Sequence, residues 1–333
     1  MSASDQYGPE ISGPDELKDL VRTKYAEIAL QDKATNASSC CGAGPRTWYG
    51  PEISSPNAIF SDDYSKLKGY NPDADLSLGC GLPTQFAQIQ PGHTVLDLGS
   101  GAGNDCFVAR HETGPDGRVI GVDFTPEMIA KAKENACKLD YQNVEFRQGD
   151  IEALPLSACM VDVVVSNCVL NLVPNKRQAL SEVLRVLKPG GHFSISDVVL
   201  VGELPAQLQG AAEMYAGCVS GALQEDQYLG IIAELGFEGI TVQKRKPIII
   251  PDDILANYLN AEQLAAYKAS GTGIFSVTVV AKKSTVDCCA PAKGTKTLKD
   301  LTPLTTPSPS TPIKEARSDT AGLDGCELGV ACC

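Results

Sequence analysis

No run of apolar residues in the 333-residue chain approaches the ~20 that a membrane-spanning helix needs, so no segment reads as a bilayer span. The first ten residues, MSASDQYGPE, carry an acid and lack the basic-then-apolar order of a secretory signal, so the expected address is the cytosol. Positive charge is also scarce. With 28 Lys and Arg against 41 Asp and Glu the formal net charge is −13, which argues against nucleic acid or an anionic membrane as partner. Only three histidines occur, which leaves few side chains suited to removing a proton near neutral pH. Cysteine, by contrast, is abundant. Thirteen thiols in a chain without a secretion signal point away from a disulfide framework and towards soft-metal or redox chemistry.

The pattern along the chain divides it into four parts. Residues 1–83 hold an amphipathic helix over Asp15–Leu30 and a Gly/Pro/Ser-rich connector that carries the Cys40-Cys41 doublet and Cys80. A six-residue echo, Tyr7–Ser12 repeated at Tyr49–Ser54, is too short for a structural repeat. Residues 84–200 alternate short β-rich runs with helical stretches. The strands are expected at Thr94–Leu98, Val119–Asp123, Val144–Gln148, Val161–Ser166 and His192–Asp197, and the helices at Asn104–His111, Pro126–Leu139 and Lys176–Leu187. Such alternation specifies an α/β fold with a mostly parallel, doubly wound sheet. Residues 201–283 predict helices at Gln224–Leu235 and Asp252–Ala269 and strands at Gly239–Lys244 and Ile274–Ala281, an acceptor-binding or lid region that completes the sheet. Residues 284–333, rich in Pro, Thr and Ser, read as a disordered tail with Cys288-Cys289, Cys326 and Cys332-Cys333.

Chemistry concentrates first in Asp97-Leu98-Gly99-Ser100-Gly101-Ala102-Gly103, where a buried strand meets a helix. Glycines at this junction allow a tight turn and a close approach of ligand to main chain. The G-x-G-x-G spacing departs from the G-x-G-x-x-G of dinucleotide folds, which disfavours a pyrophosphate ligand. Asp123 ends the second strand about 20 residues later, where a carboxylate can accept hydrogen bonds from ribose hydroxyls.

Together, Val95–Asp105 (VLDLGSGAGND), Gly121–Phe124 (GVDF), Gly149–Pro155 (GDIEALP) and Leu187–Gly191 (LKPGG) resemble the class I S-adenosylmethionine-dependent methyltransferases, a Rossmann-like fold. The resemblance implies S-adenosylmethionine as cofactor. It places the ribose on Asp123, the adenine between Asp150 and Ile151, and the methionine part along the Asp97–Gly103 turn with Gly99, Ser100 and Gly101. Asn167, just past the fourth strand, is a candidate for orienting the methionine amino group, with a strand-end turn as the equal alternative.

The acceptor is a separate question. His93, His111 and His192 lie at strand starts or at the ends of following helices, on the edge of the sheet opposite the ligand-binding edge. This weakens oxygen acceptors, which need a proton removed. Cys80, Cys168 and Cys218 come from distant segments and could converge over the cofactor, whereas Cys106, Cys137 and Cys159 fit the role of small buried hydrophobes. The surrounding sequences, Ser77–Pro83 (SLGCGLP), Ser166–Lys176 (SNCVLNLVPNK) and Ala216–Leu223 (AGCVSGAL), resemble the arsenite methyltransferases. That resemblance implies Cys80, Cys168 and Cys218 as arsenic(III) ligands and Cys40 or Cys41 as a fourth participating thiol. It also implies arsenite or its glutathione adduct as substrate, mono-, di- and trimethylated products, and thioredoxin or glutathione as reductant. Two alternatives stay open: a C- or O-methyltransferase for a quinone- or sterol-like acceptor, and a non-catalytic metalloid-binding protein.

Overall fold

The computed structural model describes residues 13–31, 62–208, 221–250, 252–256 and 258–285. Cys40, Cys41, Cys218, the hexapeptide echo and the tail cysteines lie outside the described residues. Helix α1 (Pro14–Ala29) begins with a proline, whose missing N–H costs nothing in a first turn, and places Asp15 and Glu16 at the positive end of its dipole. Its last turn buries Ile28 and Ala29 in an apolar cluster with Met128, Ile129 and Ala132.

The sheet comprises β1 (Thr94–Leu98), β2 (Arg118–Asp123), β3 (Val144–Gln148), β4 (Val161–Asn167), β5 (Leu187–Val201), β6 (Glu238–Ile248) and β7 (Gly273–Lys282). Their spatial order is β3-β2-β1-β4-β5-β7-β6. Pairings among the first five strands are parallel, while β7 runs antiparallel between β5 and β6. Strand β4 has Val161, Val163, Val164 and Val165 wholly buried, the near-continuous apolar run of a strand covered on both faces. The covering helices are α2 (Pro83–Phe86), α3 (Asn104–Thr113), α4 (Pro126–Lys138), α5 (Lys176–Val186) and α6 (Glu225–Glu234), followed by α7 (Asp252–Leu255) and α8 (Ala261–Ser270).

Three expectations need correction. The single helix over Asp252–Ala269 is two, because Asn260 starts a new one: its side chain accepts from Gln263 N (2.9 Å) while Gln263 Oε1 accepts from Asn260 N (3.0 Å). Lys188-Pro189-Gly190-Gly191, expected to end the helix and turn into the next strand, lies inside β5 as a bulge, between the pairs Val161–Leu187 and Val163–His192. Cys137 is exposed; α4 buries Met128, Ile129, Ala132, Asn135 and Ala136, and one more residue turns about 100° off that face. Cys106 is buried as expected, and Cys159 is half-buried. Strand β6 runs on through Pro247, which an edge strand tolerates because one side of its backbone is unpaired.

Candidate functional site

A cleft opens at the carboxyl ends of β1, β2 and β4, where parallel sheets of this order leave a crevice. Its volume is about 1120 Å³ including the mouth open to solvent. Asp97, Gly99, Ser100, Gly101, Asp123, Asp150, Ile151, Asn167 and Cys168 all line it. Gly103 and Cys80 do not reach its surface, and none of the three histidines does. His192 Nε2 instead lies 2.5 Å from the Ala87 carbonyl oxygen at the other edge, and burial lowers its pKa.

The glycine turn is shaped by two close approaches. Gly99 has φ +66°, and a Cβ there would overlap the Val169 side chain. Gly103 has φ +99°, and a Cβ there would press on the rings of Phe107 and Phe146, so its role is to let α3 begin against the sheet. Asp123 ties the turn to the next helix: Oδ2 accepts from Gly101 N (3.0 Å) and Oδ1 from Thr125 N (2.9 Å). Burial raises its pKa, and these main-chain donors oppose the rise. Burial also pushes Asp97 well up and Asp105 up to about 6. The cleft wall thus concentrates carboxylates in a poorly solvated place, where a cationic ligand is favoured.

Adjacent to this polar half, β4 ends in a different environment. Cys168 (3% exposed) follows β4 with φ +61°, held by its N–H donating to Ser196 O (2.8 Å). Cys80 (1% exposed) joins it in one apolar cluster with Val198, Leu204, Leu208, Ile250, Leu255, Leu259 and Ile274. The Cys80 carbonyl accepts from Ser276 Oγ on β7 (2.6 Å). Residues beyond β5 therefore pack an apolar layer against the two thiols.

Asn167 joins the two halves. Its Oδ1 accepts from Cys80 N (3.0 Å) and Gly81 N (3.3 Å), and its Nδ2 donates to Gly81 O (2.8 Å) and to Tyr64 Oη. Tyr64 in turn donates to Asp105 Oδ2 (2.8 Å). These contacts hold the Cys80 loop against the end of β4. No sequence reading gives a site role to Tyr64 or Asp105, nor to Lys18 and Tyr25 of α1, which also line the cleft. The "GND" stretch containing Asp105 was a usable signal; Tyr64 and Lys18 had none, since their partners are remote in sequence.

A methyltransferase-domain family model matches residues 89–236. The arsenite methyltransferase of Halobacterium salinarum is 42% identical over 286 residues, covering 82% of this chain and 68% of that protein. This chain belongs to the arsenite methyltransferase family. The Aquipseudomonas alcaligenes arsenite methyltransferase is 34% identical over 251 residues, covering 73% of this chain and 68% of that one. A solved arsenic(III) S-adenosylmethionine methyltransferase from Chlamydomonas reinhardtii is 34% identical with a TM-score of 0.53, covering 62% of this chain and 68% of that structure. The family's fold, a class I methyltransferase sheet, is the one observed here. The cysteine-bearing crevice lies at the carboxyl edge of that sheet, where such a fold binds its ligands.

Proposed function

We propose that this chain transfers methyl groups from S-adenosylmethionine to trivalent arsenic held by cysteine thiolates. The observation that carries the reading is the burial of Cys80 and Cys168 in one apolar cluster directly beside the glycine-turn cleft. The cleft's residues fit the cofactor. Ser100 Oγ and Asn104 Oδ1 are buried without a hydrogen-bond partner among the described residues, and both residues line the cleft beside Asp97, Asp105 and Asp123. When bound, S-adenosylmethionine supplies an electrophilic methyl group on a sulfonium.

The protein's own part is to collect, orient and dry the acceptor. Cys80, Cys168 and Cys218 serve as the arsenic ligands, soft sulfur donors for a soft centre. Three sulfur donors leave the arsenic lone pair available as nucleophile, so the step requires no general base. Holding that pair in line with the methyl group accounts for roughly 7–11 kcal/mol of barrier lowering. Transfer oxidises arsenic(III) to arsenic(V). Two thiols, one of them Cys40 or Cys41, return the two electrons by forming a disulfide, and thioredoxin or glutathione reopens it. Residues 201–283 act as the acceptor lid on the cofactor-binding core, and the enzyme works in the cytosol; no helix among the described residues is long and apolar enough to cross a membrane.

Neither rival reading is favoured. A C- or O-methyltransferase for a quinone- or sterol-like acceptor gives no role to two thiols buried at the end of β4, and a metalloid-binding protein gives none to the cleft. Incubation with arsenite, S-adenosylmethionine and a thiol, followed by arsenic speciation, tests the function. Mono- and dimethylated arsenic is the expected result. Unmethylated arsenic alone, with cofactor binding intact, would overturn it.

A further inference from the structure

Helix α1 lies outside the matched methyltransferase domain and outside the strand–helix alternation that defines the fold. It is nevertheless built into the wall of the cleft. Its C-terminal turn is fastened to α4 by Lys131, whose Nζ donates to Ala29 O at 2.8 Å. Its first half is fastened by Lys18, whose Nζ donates to Asp150 Oδ2 at 2.6 Å and also pairs with Glu152. Lys18 and Tyr25 line the cleft together with Thr125 and Ile151.

The turn that Lys18 grips is a strained place for charge. Asp150 and Glu152 lie two residues apart, and Asp150 Oδ1 already accepts from Glu152 N at 2.9 Å, which bends the segment back on itself. Two carboxylates so close repel unless a cation lies between them. Lys18 is that cation. Glu152 does more: Oε1 accepts from Asn175 N at 2.6 Å, tying the turn onward to the start of α5. Partial burial works against the charge on Lys18, but the hydrogen bonds from Asp150 and Glu152 outweigh it and raise its pKa.

We propose that Lys18 is a positioning residue of the cofactor site: it pins the Asp150–Glu152 turn in the shape that receives the adenine end of the methyl donor, making α1 part of that site. The proposal rests on the cofactor reading above and adds a residue that the glycine-turn motifs do not contain. Lys18 acts on the nucleoside through the turn it holds. Its loss therefore weakens binding of the donor and of its demethylated product alike, and leaves the reacting sulfonium end and the thiols as they are.

The test uses the full chain and S-adenosylhomocysteine, which lacks the sulfonium charge, as calorimetric probe. Lys18→Met, which keeps the aliphatic stem, is expected to weaken binding roughly fivefold to tenfold, the scale of a partly exposed ion pair with two partners. Lys18→Arg should recover most of the loss. In turnover the KM for S-adenosylmethionine should rise by the same factor while kcat at saturating cofactor holds. Added salt should weaken the wild type towards the Lys18→Met value and leave that variant unmoved. Should Lys18→Met prove unstable, Glu152→Gln reports on the same grip and is expected to weaken the probe in the same direction. Unchanged affinity in these variants, or a fall in kcat with affinity intact, would overturn the proposal. Failure of the wild type itself to bind the probe would instead overturn the cofactor reading on which it rests.

Discussion

Around the Gly99 turn the carboxyl edge of the sheet is lined with buried carboxylates; one strand over, at Cys168, it is lined with aliphatic side chains and thiols. The first environment comes from residues close together in sequence, Asp97 to Asp123, on two adjacent strands. The second is assembled from the Cys80 loop, the end of β4, and Val198, Leu204, Leu208, Ile250, Leu255, Leu259 and Ile274. Their chemistry differs in step with the proposed partners. A cationic donor is held by negative charge that cannot be fully screened, whereas a neutral, soft acceptor needs sulfur and the absence of water. Keeping the two apart allows each side to be tuned separately.

Four substitutions break or sharpen that contrast, from the largest effect to the smallest. Cys168→Ser removes a soft ligand while keeping size, and should cut arsenic methylation by more than roughly 100-fold, with S-adenosylhomocysteine still bound in calorimetry. Survival of most of the activity would mean that the thiols are merely core. Asp123→Ala strands the Gly101 and Thr125 N–H groups and should weaken cofactor binding by about 2–3 kcal/mol, with arsenite binding retained. Loss of both ligands together would show that the halves are not independent. Asn167→Ala frees the Cys80 loop and should cost roughly 1–3 kcal/mol of stability by denaturant melt, and weaken arsenite more than cofactor.

The smallest effect concerns Asp197, inside β5. Burial raises its pKa to about 7 from an ordinary 3.8, against the Val198 N–H and the positive charge of Lys176. The folded state therefore holds a proton that the unfolded chain has released between those values. Stability should fall as pH climbs from about 4 to about 7 and level off above. Asp97, Asp105 and Asp123 push the same way, so the readout is the difference between wild type and Asp197→Asn. The variant should show a shallower pH dependence of melting temperature, and an identical slope would remove the assignment.

Most of the first environment was readable from the chain, because contiguous motifs such as VLDLGSGAGND specify both the local bend and the chemistry. The second was readable only as three cysteines with suggestive neighbours. What gathers Cys80 and Cys168 is the Asn167–Tyr64–Asp105 network and the Ser276 hydroxyl, and such remote partners leave no periodic trace. The same limit explains Lys18, whose partner Asp150 is 132 residues away in sequence. Local chemistry misled in one place: Asn260 and Gln263 sit in a stretch that scans as one continuous helix, and their reciprocal cap divides it. Cys137 shows a third kind of error, since a thiol one residue beyond a buried face is at the surface whatever its hydrophobicity.

Strand β7 has a consequence for the order of assembly. Among the described residues it is the last strand, yet it lies inside the sheet, pairing with β5 over ten residues and carrying the Ser276 that holds the Cys80 loop. During synthesis the β1–β5 layer can form while β5 still has an open edge, but the thiol pocket has no floor until residue 282 has left the ribosome. If the thiols hold arsenic as proposed, nascent enzyme would thus acquire a place for its methyl donor before it can bind a metalloid, and a chain cut short before β7 would be spared a reactive soft-metal site on a half-made protein.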